Sequence, residues 1–389
     1  MKLAVILSRF PYPLEKGDKL RAYHQIRELS KSHELFLFCL TDQPVSQHQQ
    51  NELQEYCTEL HVLQLKKPLI YWNTAKQFFT DKPYQVGYFY QRAIQKKLNH
   101  HLTRIKPDHL YCQLIRTTEY VKNVHDIKKT VDYMDALGIG MQRRAAISRG
   151  IRKRLFLAES RRLTTYENRI FDYFDHHTII SEQDRQFINH PQNKAIVVVE
   201  NGISDTFFNY EKKVEKTFEL VFNGNMNYPP NIECAVYIGT IILPELQKIK
   251  PNAQLLLSGA NPHPRVLELA KLPGIEVSGW VDDIRDSYAK GRIFVAPLFI
   301  GTGLQNKLLE AMAMGLPCIT TQLANNALKA ENGKSILIGN DAKQFVECIV
   351  RLLDDAELAA DLGRNGKNYV HSNYNWTAAT SKLLRLIES

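Results

Sequence analysis

The sequence predicts an α/β protein of two doubly wound domains facing a shared cleft. Strand and helix patterns alternate about six times in the first half and again in the second. A polar, basic stretch at 205–217 separates the two runs. At 389 residues the chain is long enough for two sizeable cores. The predicted domains are 1–204 and 205–373, with a C-terminal helix at 374–389 packing back on the first.

Residues 2–7 are a short apolar strand. Pro11 and Pro13 make the next residues loop, since proline fits neither a helix interior nor a central strand. Gly17 then opens a helix at 19–30, and 35–40 is the second strand. Such a glycine loop falls at the C-terminal edge of a parallel sheet, where open α/β sheets bind ligands; the alternative is a plain connection. A helix and a strand at 60–65 follow. Residues 67–104 are helical and rich in aromatics, including Tyr71, Trp72, Phe78 and Phe79, with Lys76, Lys82, Arg92, Lys96 and Lys97 interleaved. That pattern suits a membrane surface or a core stripe with a solvated face. Strands at 108–114 and 128–134 come next. The second delivers Asp132 and Asp135 to its end. One long amphipathic helix is expected over 146–174, then strands at 178–181 and 195–199. After the linker, strands are expected at 218–222, 253–257, 275–277 and 293–296. Helices are expected at 231–243, 264–271 and 284–290 between them. Residues 335–338, a helix at 341–354 and a long helical region complete the chain.

The stretch 296–321, APLFIGTGLQNKLLEAMAMGLPCITT, combines strand end, glycine loop, helix, glycine turn and strand. Leu304, Leu308, Leu309, Met312 and Ala313 recur at helical spacing. Gly315 is placed to cap that helix and Pro317 precedes the next strand. A glycine loop opening a helix favours an anion, because free N–H groups and the helix dipole both attract it. Lys307 would add a cation and Glu310 would accept hydrogen bonds from sugar hydroxyls. The alternative is a solvated i,i+3 pair on an unliganded βα unit.

Hydrophobic residues make up 44% and charged residues 23%, ordinary for a globular chain. No apolar run reaches the roughly 18–20 residues of a membrane span. The first strand is too short for a signal-peptide core, so the expected location is cytoplasmic, with peripheral contact at the inner membrane face. The six cysteines are scattered without CxxC spacing and read as reduced core residues. His100-His101 and His176-His177 read as surface pairs, and no zinc-type spacing occurs, so no metal is expected. The net charge of +9 suits an anionic partner, whether nucleotide, lipid surface or nucleic acid.

Several pieces in order resemble one family: the early loop with Gly17, ENGI at 200–203, FNGNMNYPPN at 222–231, LLLSGANPHPRV at 255–266, VSGWVDDI at 277–284, and GTGLQNKLLEAMAMGLPCITT at 301–321. The chain resembles GT-B glycosyltransferases of the family-4 type, with two Rossmann-like domains. More narrowly, it is similar to the sugar transferases of bacterial exopolysaccharide clusters. The resemblance is strongest over 197–340. It implies that Glu310 holds the ribose of a nucleoside-diphosphate sugar and that the Gly303-Leu304 backbone approaches the diphosphate and sugar. It also implies that the Val281 backbone reads the base and that Gly17 lies beside the donor phosphates. Gly224, Asn225 and Gly259, in the matching loops, complete the implied donor site.

There are departures from the family pattern. Thr302 stands where the first Glu of the family's E-x7-E motif is expected. Asn225 and Pro230 stand where many members carry Arg and Lys. The leaving diphosphate still needs positive charge, for which Lys307 is the candidate and Arg265 the second. Met134-Asp135 stands for the family's His-Asp pair, which puts Asp135 near the anomeric centre or acceptor hydroxyl. The implied reaction is metal-independent, retaining transfer from a UDP- or GDP-sugar to a glycan or lipid-linked acceptor. A nucleotide-sugar epimerase is the rival within the fold, with Asp132 and Asp135 its only apparent acid pair. A basic nucleic-acid- or membrane-surface-binding protein is the rival outside it. Nucleic acid is not the expected partner, because the arginine-rich stretch 143–169 lacks an aromatic stacking pattern.

Overall fold

The computed structural model describes residues 1–14, 16–146, 148–299 and 304–389. They form two compact units, Met1–Asn201 with Ala379–Ser389, and Gly202–Ala378. The expected glycine loop at Gly301, Thr302 and Gly303 lies outside the described residues.

The first unit is built on seven parallel strands: β1 (Lys2–Leu7), β2 (Glu34–Thr41), β3 (Glu59–Gln64), β4 (His109–Gln113), β5 (Lys128–Asp132), β6 (His176–Ile179) and β7 (Val197–Val198). Their order is β3-β2-β1-β4-β5-β6-β7, so direction of travel reverses between β1 and β4. β1, β2 and β4 are buried almost throughout, which is why they read as continuous apolar runs rather than alternating ones. The helix Gly17–Leu29 packs Ala22, Ile26 and Leu29 into a core with Leu383 and Ile387 of the C-terminal helix.

Buried in this unit, the Arg21 Nε donates to Asp132 Oδ2 at 2.6 Å, and neither side chain is exposed. Tyr111 Oη also donates to Asp132 and Arg21 Nη1 donates to Asn201 Oδ1, so both charges are satisfied by partners. Asp132 is therefore held in a buried ion pair with Arg21.

The long helix expected over 146–174 is Gly150–Phe171, and a separate helix, Leu137–Ala146, precedes it. Gly150 starts the longer helix with φ of +61°, a left-handed conformation that glycine adopts freely. The two pack together, with Ser160 Oγ donating to the Gly138 carbonyl and the Gly138 N–H donating to Glu167 Oε1. His177 is not on the surface: its ring stacks on Phe171 at 3.7 Å, and burial lowers its pKa to about 4.

The second unit has six parallel strands: β8 (Phe218–Asn223), β9 (Leu255–Ser258), β10 (Ile275–Gly279), β11 (Gly291–Ala296), β12 (Cys318–Thr320) and β13 (Leu337–Ile338). The order is β10-β9-β8-β11-β12-β13, with its reversal between β8 and β11. The stretch read as linker belongs to this unit, since Asp205–Phe208 is helical and Phe208 sits in its core. The helix Asn306–Ala313 buries Leu308, Leu309, Met312 and Ala313, the stripe its sequence spacing predicts.

The six cysteines are free, four of them buried. Among the described residues no helix is long and apolar enough to cross a membrane.

Candidate functional site

Open parallel sheets bind ligands beyond the carboxyl ends of their strands, where strand order reverses. In the second unit that place lies between β8 and β11, and it holds a cavity of about 250 Å³. Three strand ends build its floor. The Gly224 N–H donates to Ser258 O, the Gly259 N–H to Gly279 O and the Met226 N–H to Ala260 O. These bonds hold the turns after β8, β9 and β10 against one another. Gly259 has φ of +145°, and a Cβ there would fall 1.7 Å from the Gly224 carbonyl oxygen. Only glycine permits this approach of two backbones, and the result is a side-chain-free wall.

Gly224, Asn225, Gly259, Val281, Lys307 and Glu310 all line this cavity. Lys307 and Glu310 come from the first turns of the Asn306–Ala313 helix. The Lys307 Nζ donates to Gln305 Oε1 at 2.9 Å and lies 5.9 Å from the Phe222 ring. Burial lowers its pKa, offset in part by Glu310. Glu310 Oε2 accepts from Tyr288 Oη at 2.8 Å. Burial raises the Glu310 pKa to about 7, with the Tyr288 bond and Lys307 opposing. The cavity thus presents a desolvated lysine, a desolvated carboxyl group and a glycine wall, which is the chemistry of a polyanion joined to a polyol.

Three further residues at the cavity are not singled out by the sequence reading. Tyr288, fully buried in the Ile284–Lys290 helix, shares its one hydroxyl hydrogen between Glu310 Oε2 and the Lys307 carbonyl. Asn223, at the end of β8, is 1% exposed and lines the cavity, with its side-chain amide beside the Tyr288 hydroxyl. Trp280 is 68% exposed at the rim beside Val281 and offers an aromatic face. The only sequence hint was its place in the GWV turn.

The remaining candidates lie elsewhere. Arg265 does not line the cavity, because Glu233 of the Pro229–Tyr237 helix takes its guanidinium in a fork. Leu304 is half-buried against the core, and Thr302 and Gly303 are outside the described residues. Gly17 and Asp135 belong to the first unit. Gly17 starts a helix, and a Cβ there would meet nothing within 4 Å. Asp135 follows Met134, whose φ of +60° turns the chain sharply after β5 and leaves Asp135 exposed. A non-glycine residue held there marks a turn whose surroundings pay for its strain. Desolvation by surrounding protein raises the Asp135 pKa to about 6, with Asp184 and Asp132 adding to it and Arg21 and Arg116 opposing. Away from these sites, Glu59, His61 and His101 bring ligand-type atoms within 4.8 Å of one another. Both Glu59 oxygens there already accept from Arg104.

Two Rossmann-like units, each of parallel strands with a ligand-type crevice at its reversal, define the GT-B fold. Residues 217–355 match the family described as glycosyl transferases group 1 and form such a domain. Over 99% of both chains the protein is 19% identical to an uncharacterized 44.6 kDa protein in the cps region of Klebsiella pneumoniae. Over 27% of each chain it is 31% identical to the UDP-Gal:alpha-D-GlcNAc-diphosphoundecaprenol alpha-1,3-galactosyltransferase of Escherichia coli. Anabaena HepE in complex with UDP has the same fold, with a TM-score of 0.62 over the whole of both chains at 12% identity.

Proposed function

We propose that this protein is a retaining glycosyltransferase of bacterial cell-surface polysaccharide synthesis, moving a sugar from a UDP- or GDP-sugar to a glycan or lipid-linked acceptor. The observation that carries this reading is the cavity at the β8–β11 reversal, where Lys307 and Glu310 converge on the Gly224–Gly259 wall. The glycosyl transferases group 1 domain that contains it and the relative from a cps region support it. So does the relative whose name specifies a UDP-sugar donor and a diphosphoundecaprenol acceptor.

In this mechanism Glu310, steadied by Tyr288, accepts the ribose hydroxyls. The base lies along Val281 against Trp280. The diphosphate lies on the glycine wall, where a side chain would obstruct it. Lys307 neutralises charge that grows on the diphosphate as the glycosidic bond breaks, so no metal is needed. Asn223, beside Tyr288, donates an amide hydrogen to the phosphate or sugar. Asp135 orients the acceptor hydroxyl or takes its proton.

Thermal stabilisation by UDP and GDP, followed by transfer from a panel of nucleotide sugars, tests the reading. Stabilisation by one nucleotide and sugar transfer to an acceptor is expected. Interconversion of the donor without transfer would make the protein an epimerase, and indifference to both nucleotides would end either enzyme reading.

Two further outcomes follow from the first unit. If Asp135 acts as an anion, kcat rises with pH through about 6, because its carboxyl must lose a proton. Asp135→Asn should lower kcat about 100-fold and flatten that limb. A profile that keeps the limb in the variant would remove Asp135 from the reaction.

Peripheral contact with an anionic membrane is the second. Tyr71, Trp72, Phe78 and Phe79 are 74%, 62%, 56% and 92% exposed, among Lys67, Lys76 and Lys82. Aromatic residues interleaved with lysine suit a lipid headgroup layer. Co-sedimentation with phosphatidylglycerol vesicles should drop on the order of ten-fold in a Trp72→Ala, Phe79→Ser double variant. Equal pelleting of variant and wild type would place the membrane face elsewhere.

A further inference from the structure

The first unit has its own strand reversal, between β1 and β4. A cavity of about 370 Å³ opens there, within the roughly 300–1,000 Å³ of small-molecule sites. Arg9 follows β1, Asp42 follows β2 and Arg116 follows β4, so the strand ends themselves deliver the charged groups.

Those charges do not cancel evenly. Arg9 Nη1 is held by Asp18 at 2.6 Å. One oxygen of Asp42 accepts from Tyr88 Oη. Among the described residues Arg116 has no carboxylate in contact. Its Nε and Nη2 both donate to the neutral Gln85 Oε1, at 3.0 and 2.6 Å, and its guanidinium lies 5.5 Å from the Phe89 ring. A guanidinium carries five N–H donors, so most of this one is unused. Burial, with Arg9 nearby, pushes its pKa down to about 10.

The neighbouring polar atoms extend the imbalance. Gln85 Nε2 and Thr74 Oγ1 are buried and, among the described residues, have no hydrogen-bond partner. Among the described residues the cavity therefore holds unsatisfied donors beside a cation that no carboxylate contacts, although Asp42 also lines it. Buried polar groups in that condition cost free energy until a ligand supplies acceptors. The Phe89 and Tyr88 rings add apolar walls of the kind that pack on a sugar face, and the second Asp42 oxygen is left to accept a hydroxyl.

We infer that this cavity is an acceptor subsite that selects a sugar carrying an anionic group, a carboxylate or a phosphate, which Arg116, Gln85 and Thr74 bind together. The inference rests on the transferase reading and narrows it to acidic acceptors: a uronic-acid residue, or a sugar attached to phosphate as in a lipid diphosphate.

Titration of the full chain with D-glucuronate, glucose 1-phosphate and glucose, followed by ligand-observed NMR, tests it. At least one charged sugar should bind about ten-fold more tightly than glucose, and which one does so identifies the source of the anion. Arg116→Met should remove that preference. Gln85→Glu gives Arg116 an internal carboxylate, so it should remove the preference while keeping the protein folded. UDP stabilisation, a property of the other unit, should survive both changes. Equal affinity for glucose and both charged sugars, or a preference that persists in both variants, overturns the inference. A wild-type chain that ignores UDP and GDP yet prefers a charged sugar overturns the transferase reading and leaves the anion site standing.

Discussion

Glu310→Gln is expected to stabilise the ligand-free protein above pH 7 while weakening UDP binding at least about ten-fold. The two effects share one cause. The folded carboxyl has a pKa of about 7, because burial disfavours its charge. The unfolded chain has the ordinary value near 4.3. Between these values the folded state holds more protons, so stability falls as pH rises across the window. The deficit is complete above pH 7 and absent below about pH 4. Glutamine keeps an acceptor for Tyr288 Oη and carries no charge to desolvate. The gain should reach about 2 kcal/mol at pH 8, after allowance for water in the cavity, and vanish at pH 4. Ribose hydroxyls lose a charged acceptor in the variant, and bonds to charged groups are worth about 1.5–3 kcal/mol. Urea titrations at pH 4, 6 and 8, paired with calorimetric titration of UDP, measure both sides. A variant that binds UDP like the wild type would remove Glu310 from the donor site.

What the sequence displays about this cavity is local, and what it conceals is long-range. Lys307 and Glu310 are visible because they sit three apart on an amphipathic helix behind a glycine loop. Gly224 and Gly259 are visible because glycine after an apolar strand is itself a signal. Tyr288 is hidden. Within its own helix it looks like a core aromatic, and only the alignment of β8 and β11 brings its hydroxyl to Glu310. Asn223 lies in the quoted FNGNMNYPPN segment, but its place beside the Tyr288 hydroxyl is set by the fold and not by its neighbours in sequence. Arg21 and Asp132 are 111 positions apart, so their ion pair cannot be read from either neighbourhood, and Asp132 passed for a free acid. Arg265 errs in the other direction. Its place in a matching loop suggested phosphate, but Glu233, one helix away, occupies it.

Lys307→Met should separate the nucleoside from its phosphates. The side chains are close in volume, so the apolar contact beside Phe222 survives and only the cation is lost. UDP affinity should fall about 100-fold and uridine affinity should not change, because the base and ribose contacts lie on Val281, Trp280 and Glu310. With a nucleotide sugar, kcat should fall on the order of 100- to 1,000-fold, more than KM rises, since leaving-group charge develops fully only as the bond breaks. The proton inventory gives an independent check. Burial lowers the Lys307 pKa in the free protein, and a bound diphosphate would raise it again. UDP binding should therefore draw a proton onto Lys307 at alkaline pH. Its calorimetric heat should depend on buffer ionisation enthalpy in the wild type and lose that part in the variant. The lowered lysine pKa also predicts the stability of the free variant. Below the folded value the wild type carries a charge that costs more inside than in the unfolded chain, so its stability rises as pH climbs through that value. Methionine removes the cost, and the variant should be the more stable protein at neutral pH. Equal losses for UDP and uridine would mean that Lys307 shapes the cavity without meeting phosphate, and the leaving group's charge would have to be balanced elsewhere.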